Sequence, residues 1–499
     1  MSTRVIDLFA GPGGLAEGFS SIVDASGKRV FNISLSIEKE AAPFATLRLR
    51  AFFRQFPLGK APEEYYMFLR GNLSIDDLWS AFPEEAAQAE QETWQATLGD
   101  KELSHALVDK KIEYALNGDS NWILIGGPPC QAYSLVGRAR NQWTPDHIPA
   151  EDHPYYFLYK EYIRVIELHA PTAFIMENVP GLFSVISEEG PLIDHILETL
   201  QNPGNGLKYS LYSMIMGAWH EGNSPRDYLI RAEEYGIPQA RHRIIIFGVR
   251  DDVPDFTFVP LEKKPAVSLR NIIDGLPPLR SGFSKEPDSL DTWRSHLKNI
   301  FVQPWFSWLK EQYPSAAGIM SDSIKTASDK ELTRGAEFVP CKADKPTMKQ
   351  WYIDPRLKGQ CHHATRGHLA SDLWRYLFSA CMTQAYGRSP RLEEYPPDLL
   401  PNHKNALKGK FNDRFRVQYA DHPAKTVTSH ISQDGHYFIH YDPVQCRSLT
   451  VREAARIQTF PDNYYFCGGR TSQFEQVGNA VPPYLAYLIA NAVQSLFYK

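Results

Sequence analysis

Residues 121–140 read NWILIGGPPCQAYSLVGRAR, and they restrict the fold more than any other stretch of the chain. Trp122 to Ile125 is a short apolar run bounded by glycines, the pattern of a buried strand. Gly126 and Gly127 end the run and let the backbone turn sharply. Pro128 and Pro129 fix φ at two successive positions and stiffen the loop. That loop delivers a single cysteine, Cys130. In open α/β sheets, ligands bind outside the carboxyl ends of the strands. A thiol held there beside cations is kept as thiolate. A buried structural cysteine is the alternative that the spacing alone leaves open.

The N-terminal segment has the same logic. Val5 to Phe9 is an apolar strand that enters a turn, Ala10-Gly11-Pro12-Gly13-Gly14, and then a helix with Leu15, Phe19 and Ile22 on one face. Strand, glycine-rich turn and helix open a nucleotide-binding α/β unit. Residues 30–37 read as a second strand with Glu38 at its end, where a carboxylate can accept from ribose hydroxyls. Tyr66 to Leu69 is expected to be the third strand, followed by Gly71 and Asn72. Residues 156–168 have helical periodicity. Thr172 to Met176 reads as another strand and delivers Glu177, Asn178 and Val179. Arg241 and Arg243 flank the start of an apolar strand, 244–249, and share a face. Residues 447–460 read as an amphipathic helix with a capping box at Thr450 and Glu453. Pro482 and Pro483 suit the start of a last helix.

GGPPCQAYS resembles the Pro-Cys motif of the cytosine-5 DNA methyltransferases. Five further blocks resemble motifs of that family in the same order: DLFAGPGGLAEGF, the ENV at 177–179, QARHR at 239–243, RSLTVREAARIQTF at 447–460 and QVGNAVPP at 476–483. The resemblance implies an α/β fold, a Rossmann-like S-adenosylmethionine-dependent methyltransferase sheet with helices on both faces. It also implies an inserted, smaller DNA target-recognition domain. The expected domains are a catalytic domain over 1–250, with an acidic insertion at about 52–118, a target-recognition domain over 251–445, and a return to the catalytic domain over 446–499.

The resemblance also assigns roles. Cys130 forms the covalent bond to the base, and Glu177 hydrogen-bonds its N3 and amino group. Arg243 is expected at the base carbonyl, and Arg241 at the catalytic loop or Glu177. The cofactor is S-adenosylmethionine, which leaves as S-adenosylhomocysteine. Its pocket is expected to include Phe9, Gly11, Pro12, Gly14, Glu38, Asn72, Pro129, Leu158, Asn479 and Val481. Asn72 stands where the family usually has an aspartate. Arg138, Arg140 and Gln239 are expected at the DNA, with the loop from Gln131 to about His153 closing over it.

The formal net charge of −5 argues weakly against a nucleic-acid partner, but its distribution does not. Residues 51–120 hold 6 Lys and Arg against 13 Asp and Glu, whereas 341–416 hold 14 against 7. Basic residues interleaved with aromatics (Trp351, Tyr352, Arg356, Lys358, Arg366, Trp374, Arg375, Tyr376, Arg388) suit a nucleic-acid face. Cys361, His362, His363, His368 and Cys381 fit no common zinc spacing, and no metal is expected. Six scattered cysteines suit reduced thiols and a cytoplasmic location. No apolar run is long enough to span a membrane, and a strand beginning at Val5 leaves no room for a removable leader. The expected partners are double-stranded DNA and, functionally rather than physically, a cognate restriction endonuclease, with the protein itself a monomer. The alternatives are an RNA (tRNA) cytosine-5 methyltransferase and a DNA-binding homologue without catalysis. The long basic segment favours DNA, and the presence of Cys130, Glu177 and the arginines favours catalysis.

Overall fold

The computed structural model describes residues 2–129, 157–187, 190–218, 224–254, 256, 258–342, 344–401 and 414–497. Cys130, Arg138, Arg140 and the loop expected to close over DNA lie outside the described residues.

A nine-stranded sheet organises the first half of the chain. Its strands are β1 (Thr3–Leu8), β2 (Phe31–Glu38), β3 (Thr93–Gln95), β4 (Trp122–Gly126), β5 (Ala173–Asn178), β6 (Tyr209–Ser213), β7 (Gly217–Ala218), β8 (Leu229–Arg231) and β9 (His242–Arg250). The spatial order is β3-β2-β1-β4-β5-β9-β6-β7, with β8 also paired to β9. The five strands from β3 to β5 are parallel. From β9 onward the pairing is antiparallel. Strand order reverses between β1 and β4, so the carboxyl ends of these two strands form the crevice where an open α/β sheet binds its ligand.

Alternation along the strands builds two cores. Ile6, Leu8 and Leu124 face one side, where they meet Tyr162, Ile163 and Ile166. These come from α3 (Leu158–His169), the helix expected at 156–168. Val5, Ile123 and Ile125 face the other side. There they meet α1 (Gly14–Ser20) and the last helix, α5 (Pro483–Val493). Every residue of β4 is buried, which explains its unbroken apolar run. Each fully buried aliphatic side chain there contributes roughly 1.5–3 kcal/mol.

The third strand differs from expectation. Tyr66 to Leu69 belongs to a helix, Glu63–Leu69, that follows Pro62 and carries Glu63 and Glu64 in its first turn. Strand β3 is instead Thr93–Gln95, hydrogen-bonded alongside β2. Three short helices, Glu63–Leu69, Ile75–Ala81 and Pro83–Glu92, therefore separate α2 (Ala41–Arg54) from β3. The remainder of the expected insertion contains that strand and the helix His105–Leu116, which packs under the sheet through Val108, Ile112 and Leu116.

Beyond β9 a separate core gathers around helices Leu290–Asn299, Pro304–Gln312, Pro314–Asp329 and Ala370–Tyr386. The helix expected at 447–460 is shorter, α4 (Val451–Ile457), and all seven of its residues are buried. Its capping box forms as read, with Glu453 Oε2 accepting from Thr450 N at 2.7 Å. Buried arginines tie it to its surroundings. Arg447 grips Glu453 with two contacts of 2.7 Å. Arg456 meets Asp462 at 2.9 and 2.7 Å. Arg452 donates to three main-chain carbonyls, of Cys361, Pro461 and Tyr464.

Candidate active site

The turn after β1 is shaped for close approach. Phe9 and Gly11 both have left-handed backbones, with φ of 57° and 56°. A Cβ added at Gly11 would meet nothing within 4 Å, so this part of the turn borders open space. Gly11 N donates to Glu38 Oε2 at 2.9 Å, and Glu40 N donates to Oε1 at 2.8 Å. Burial pushes the Glu38 carboxyl up, while these backbone N–H groups favour its ionised form. One Glu38 oxygen thus holds the glycine turn, and lone pairs remain for a ligand.

The other wall comes from the far end of the chain. A Cβ at Gly14 would sit 2.2 Å from Val481 O, and one at Gly18 2.4 Å from Ala486 Cβ. α1 and α5 touch backbone to backbone because glycine occupies these positions. Pro12 O accepts from the Tyr464 hydroxyl. Gly11, Pro12, Gly14, Glu38 and Val481 are therefore brought together, and Asn479 is exposed at the end of helix Arg470–Asn479.

Beside Glu38, at the end of β3, lies a hollow of about 400 Å³ lined by Lys39, Trp94, Gln95, Ala96, Thr97 and Asp100, among others. Leu158 packs against the turn between Thr97 and Asp100: a Cβ at Gly99 would lie 2.8 Å from Leu158 Cδ2. Asn72 does not reach this place. It is exposed just beyond the helix that replaces the expected third strand. Trp94 and Asp100 were not singled out in the sequence. The signal present there was a short Thr-Trp-Gln run followed by a Gly-Asp turn.

Glu177 occupies the end of β5. Gly126 pairs with Met176 in register, and a Cβ at Gly127 would lie 2.7 Å from Glu177 Oε2. The glycine three positions before Cys130 thus rests on this carboxylate, and Pro129, the residue before Cys130, is half-buried. Across the sheet Glu177 pairs with Ile245. Arg243, two residues earlier on β9, brings Nε to 2.6 Å from Glu177 Oε1, with both side chains largely buried. The N–H is not aimed at the oxygen, so the attraction is chiefly between charges. Its Nη1 donates to His242 O at 2.7 Å.

Arg241 is placed differently from expectation. It is buried and contacts neither the described part of the Pro-Cys loop nor Glu177 by hydrogen bond. Instead Nη1 donates to Val427 O at 2.7 Å and Nη2 to Gly478 O at 3.1 Å. Burial, and then the neighbouring Arg243 charge, pull its pKa well down. Gln239, expected at the DNA, is fully buried. Its Nε2 donates to Gln458 Oε1 at 2.8 Å and its Oε1 accepts from Val427 N at 2.6 Å. Both residues fasten β9 to segments near 427, 458 and 478.

Several of the interleaved basic and aromatic residues are engaged within the protein. Tyr352 is buried, with its hydroxyl on Arg456 O at 2.7 Å. Arg375 donates to Leu399 O at 2.7 Å, Arg366 to Ile431 O at 2.7 Å, and Arg388 pairs with Glu394 at 2.7 and 2.6 Å. His363 is also internal, sitting between Thr450 Oγ1 at 3.1 Å and Pro277 O at 2.8 Å. Asp7, one residue before the end of β1, is fully buried and neither carboxyl oxygen has a hydrogen-bond partner among the described residues. Burial pushes its carboxyl well above the usual range, against the pull of Arg54.

Comparison with known proteins agrees with this geometry. A family model described as C-5 cytosine-specific DNA methylase matches residues 80–495. The type II methyltransferase M.Bpa9945I of Bacillus paralicheniformis is 32% identical over 512 residues, which cover 99% of this chain and 98% of that protein. The DNA (cytosine-5-)-methyltransferase M.ApeKI of Aeropyrum pernix is 25% identical, over 77% of this chain and 83% of that protein. Among solved structures, a prophage-encoded E. coli protein, described as a DNA modification methyltransferase, superposes with a TM-score of 0.52 at 18% identity, covering 100% of both chains. This last likeness concerns the fold.

Proposed function

Since the chain belongs to the C-5 cytosine-specific DNA methylase family, we propose that its site acts on a cytosine turned out of the duplex, with Cys130 as nucleophile and Glu177 and Arg243 as the groups that hold the base. The observation that carries this reading is the Glu177–Arg243 pair lying against Gly127, at the root of the Pro-Cys loop.

Carbon 5 of cytosine is a weak nucleophile. Addition of the Cys130 thiolate to carbon 6 makes the ring an enamine and splits one hard step into easier ones. Glu177 accepts from the amino group and shares a proton with ring N3, which stabilises the charge that develops as sulfur adds. Arg243 holds Glu177 in the free protein and is the donor nearest the base carbonyl. With carbon 5 methylated, loss of its proton to solvent and release of the Cys130 sulfur restore the aromatic ring. Bringing the base out of the stack costs a few kcal/mol, which contacts to the displaced base offset.

The residues present fit S-adenosylmethionine. A carboxylate with lone pairs to spare stands at Glu38, the glycine turn leaves open space at Gly11, and a hollow with an aromatic wall adjoins them. Glu38 would take the ribose hydroxyls, the hollow beside Trp94 and Leu158 the adenine, and Gly11, Pro12, Gly14 and Val481 the methionine portion. When bound, the cofactor supplies the methyl group. Residues 251–445 would carry the DNA and read its sequence, with Arg138 and Arg140 on phosphates. No described helix is long and apolar enough to cross a membrane. The relatives named as type II methyltransferases support a role as the modification partner of a restriction endonuclease that shares its recognition sequence, with the protein working as a monomer.

The test is bisulfite sequencing of plasmid DNA from cells expressing the wild type or Cys130→Ser. Protected cytosines in one short sequence context with the wild type, and none with the variant, are expected. Protection that persists in Cys130→Ser would remove the covalent mechanism. Unprotected DNA from cells with folded, cofactor-binding wild type would redirect the search to RNA.

A further inference from the structure

The three helices between α2 and β3 lie outside every motif, yet they are not a solvated appendage. Tyr65, Tyr66, Leu69, Leu78 and Ala89 share one core with Phe52 of α2 and with Leu357 and Cys361 from beyond β9. Polar contacts converge on the same place. The Tyr66 hydroxyl donates to Asp354 Oδ2 at 2.6 Å. Asn463 Nδ2 donates to that same oxygen at 2.8 Å. Arg50 of α2 donates from Nη1 to Asn463 Oδ1 at 3.1 Å and grips Glu17 of α1 at 2.8 and 2.6 Å. The Arg356 guanidinium lies 4.4 Å from the centre of the Tyr66 ring, and Arg70 Nη1 donates to Arg356 O at 3.2 Å. A chain of side chains thus runs from α1, directly behind the glycine turn, to Asp354 in the region between the two halves of the catalytic domain.

We propose that residues 57–92 are a positioning strut for the DNA. Through Tyr66, Asp354 and Asn463 they hold the segment 352–364 at a fixed place relative to the glycine turn. The base presented by one half of the molecule then meets the reacting groups of the other. The proposal rests on the reading that residues 251–445 carry the DNA. Rigidity matters because a protein that already holds both DNA-contacting parts in place has less to order on binding DNA, a ground-state gain that is read in KM rather than in kcat. Asp354 Oδ2 accepts from both Tyr66 and Asn463, and Oδ1 accepts from Arg356 N at 3.0 Å, so substitution by leucine releases all three while leaving the Glu17–Arg50 pair in place.

The experiment compares wild type, Asp354→Leu, Asp354→Asn and Tyr66→Phe, using duplex DNA that carries the sequence found by bisulfite sequencing. It reads KM for DNA, kcat, cofactor affinity by calorimetry and melting temperature. Asp354→Leu is expected to raise KM for DNA about tenfold, the equivalent of one hydrogen bond to a charged group, with kcat and cofactor affinity within about twofold of wild type. Asp354→Asn keeps an acceptor oxygen and should bring KM most of the way back. If Asp354→Leu does not fold, Tyr66→Phe removes a single oxygen and should raise KM about threefold. A variant that loses melting temperature with wild-type KM, or a raised KM that Asp354→Asn does not lower, overturns the strut. Absence of DNA methylation by the wild type would sink the functional reading, and the strut with it. An unchanged KM on an active wild type sinks the strut alone.

Discussion

Replacing Gly14 by alanine probes the closure of the chain on itself. The added carbon would stand 2.2 Å from Val481 O. An ordinary carbon–oxygen contact is about 3.3 Å or more, so α1 and α5 must separate by about 1 Å. Neither atom is at the end of a flexible side chain, and the strain cannot be relieved by rotating a bond. Overpacking of this kind costs roughly 1–3 kcal/mol. In a chain of this size that is a fall of only a few degrees in melting temperature. The functional effect should be clearer. Val481 is the residue proposed as a wall of the cofactor pocket, and its displacement should weaken cofactor binding about tenfold, roughly 1.4 kcal/mol. Calorimetry gives the affinity and differential scanning the stability. Gly18→Ala is the control: its carbon would lie 2.4 Å from Ala486 Cβ, one helical turn further from the pocket. It should match the loss of stability with a smaller loss of affinity. A Gly14→Ala protein with wild-type melting temperature and cofactor affinity would refute the backbone contact, and with it the claim that the two ends of the chain share one pocket.

Other substitutions separate the remaining roles. Glu38→Gln should weaken the cofactor by roughly one to two orders of magnitude, since a charged acceptor is lost to both the turn and the ligand, while DNA affinity stays unchanged; titration of each ligand checks it. Gln239→Ala should lower stability by about 1–3 kcal/mol in urea unfolding, because Val427 N loses its acceptor, and should leave salt-dependent DNA binding as in wild type. Arg243→Ala should reduce kcat more than cofactor affinity, because Glu177 loses the guanidinium 2.6 Å from it; single-turnover rates give the answer. His363 carries a pH dependence. Burial pulls it down to about 4, from an ordinary value of 6.5. Below pH 6.5 the unfolded chain binds a proton that the folded chain refuses, so stability falls as pH drops and levels off only below about 4, by about 3 kcal/mol for this group. His363→Gln should flatten that part of the stability–pH profile.

Much of the sheet was legible because its strands are short apolar runs with a chemical marker at the end: glycine after β1 and β4, glutamate after β2 and within β5. β3 carries no such marker. It has three residues, and the aromatic Tyr66–Leu69 segment looks more like a strand than it does. What decides the matter is Pro62 with Glu63 and Glu64, a helix start that aromatic content obscured. The site divides in the same way. Glu177 and Arg243 were recognisable because a strand end fixes where they point. Gln239 and Arg241 belong to the same motif but spend their polar atoms on the chain's own carbonyls and amides, which depends on segments more than 180 positions away. The basic segment is harder to read for a related reason. Arginines of that region, Arg366 and Arg375, are held by internal carbonyls, so a charge count overstates the charge offered to a phosphate.

The meeting of α1 and α5 also sets a timetable. The glycine turn leaves the ribosome well before the Tyr464 hydroxyl that caps it, which belongs to a residue 452 positions later. Contacts of such separation form late, after loop closure over most of the chain. Until then the turn, β1 and β2 can assemble but lack the Val481 side of the pocket. A nascent chain without this segment therefore lacks the wall proposed for the cofactor, and methylating activity waits until the segment around Val481 has been made and docked.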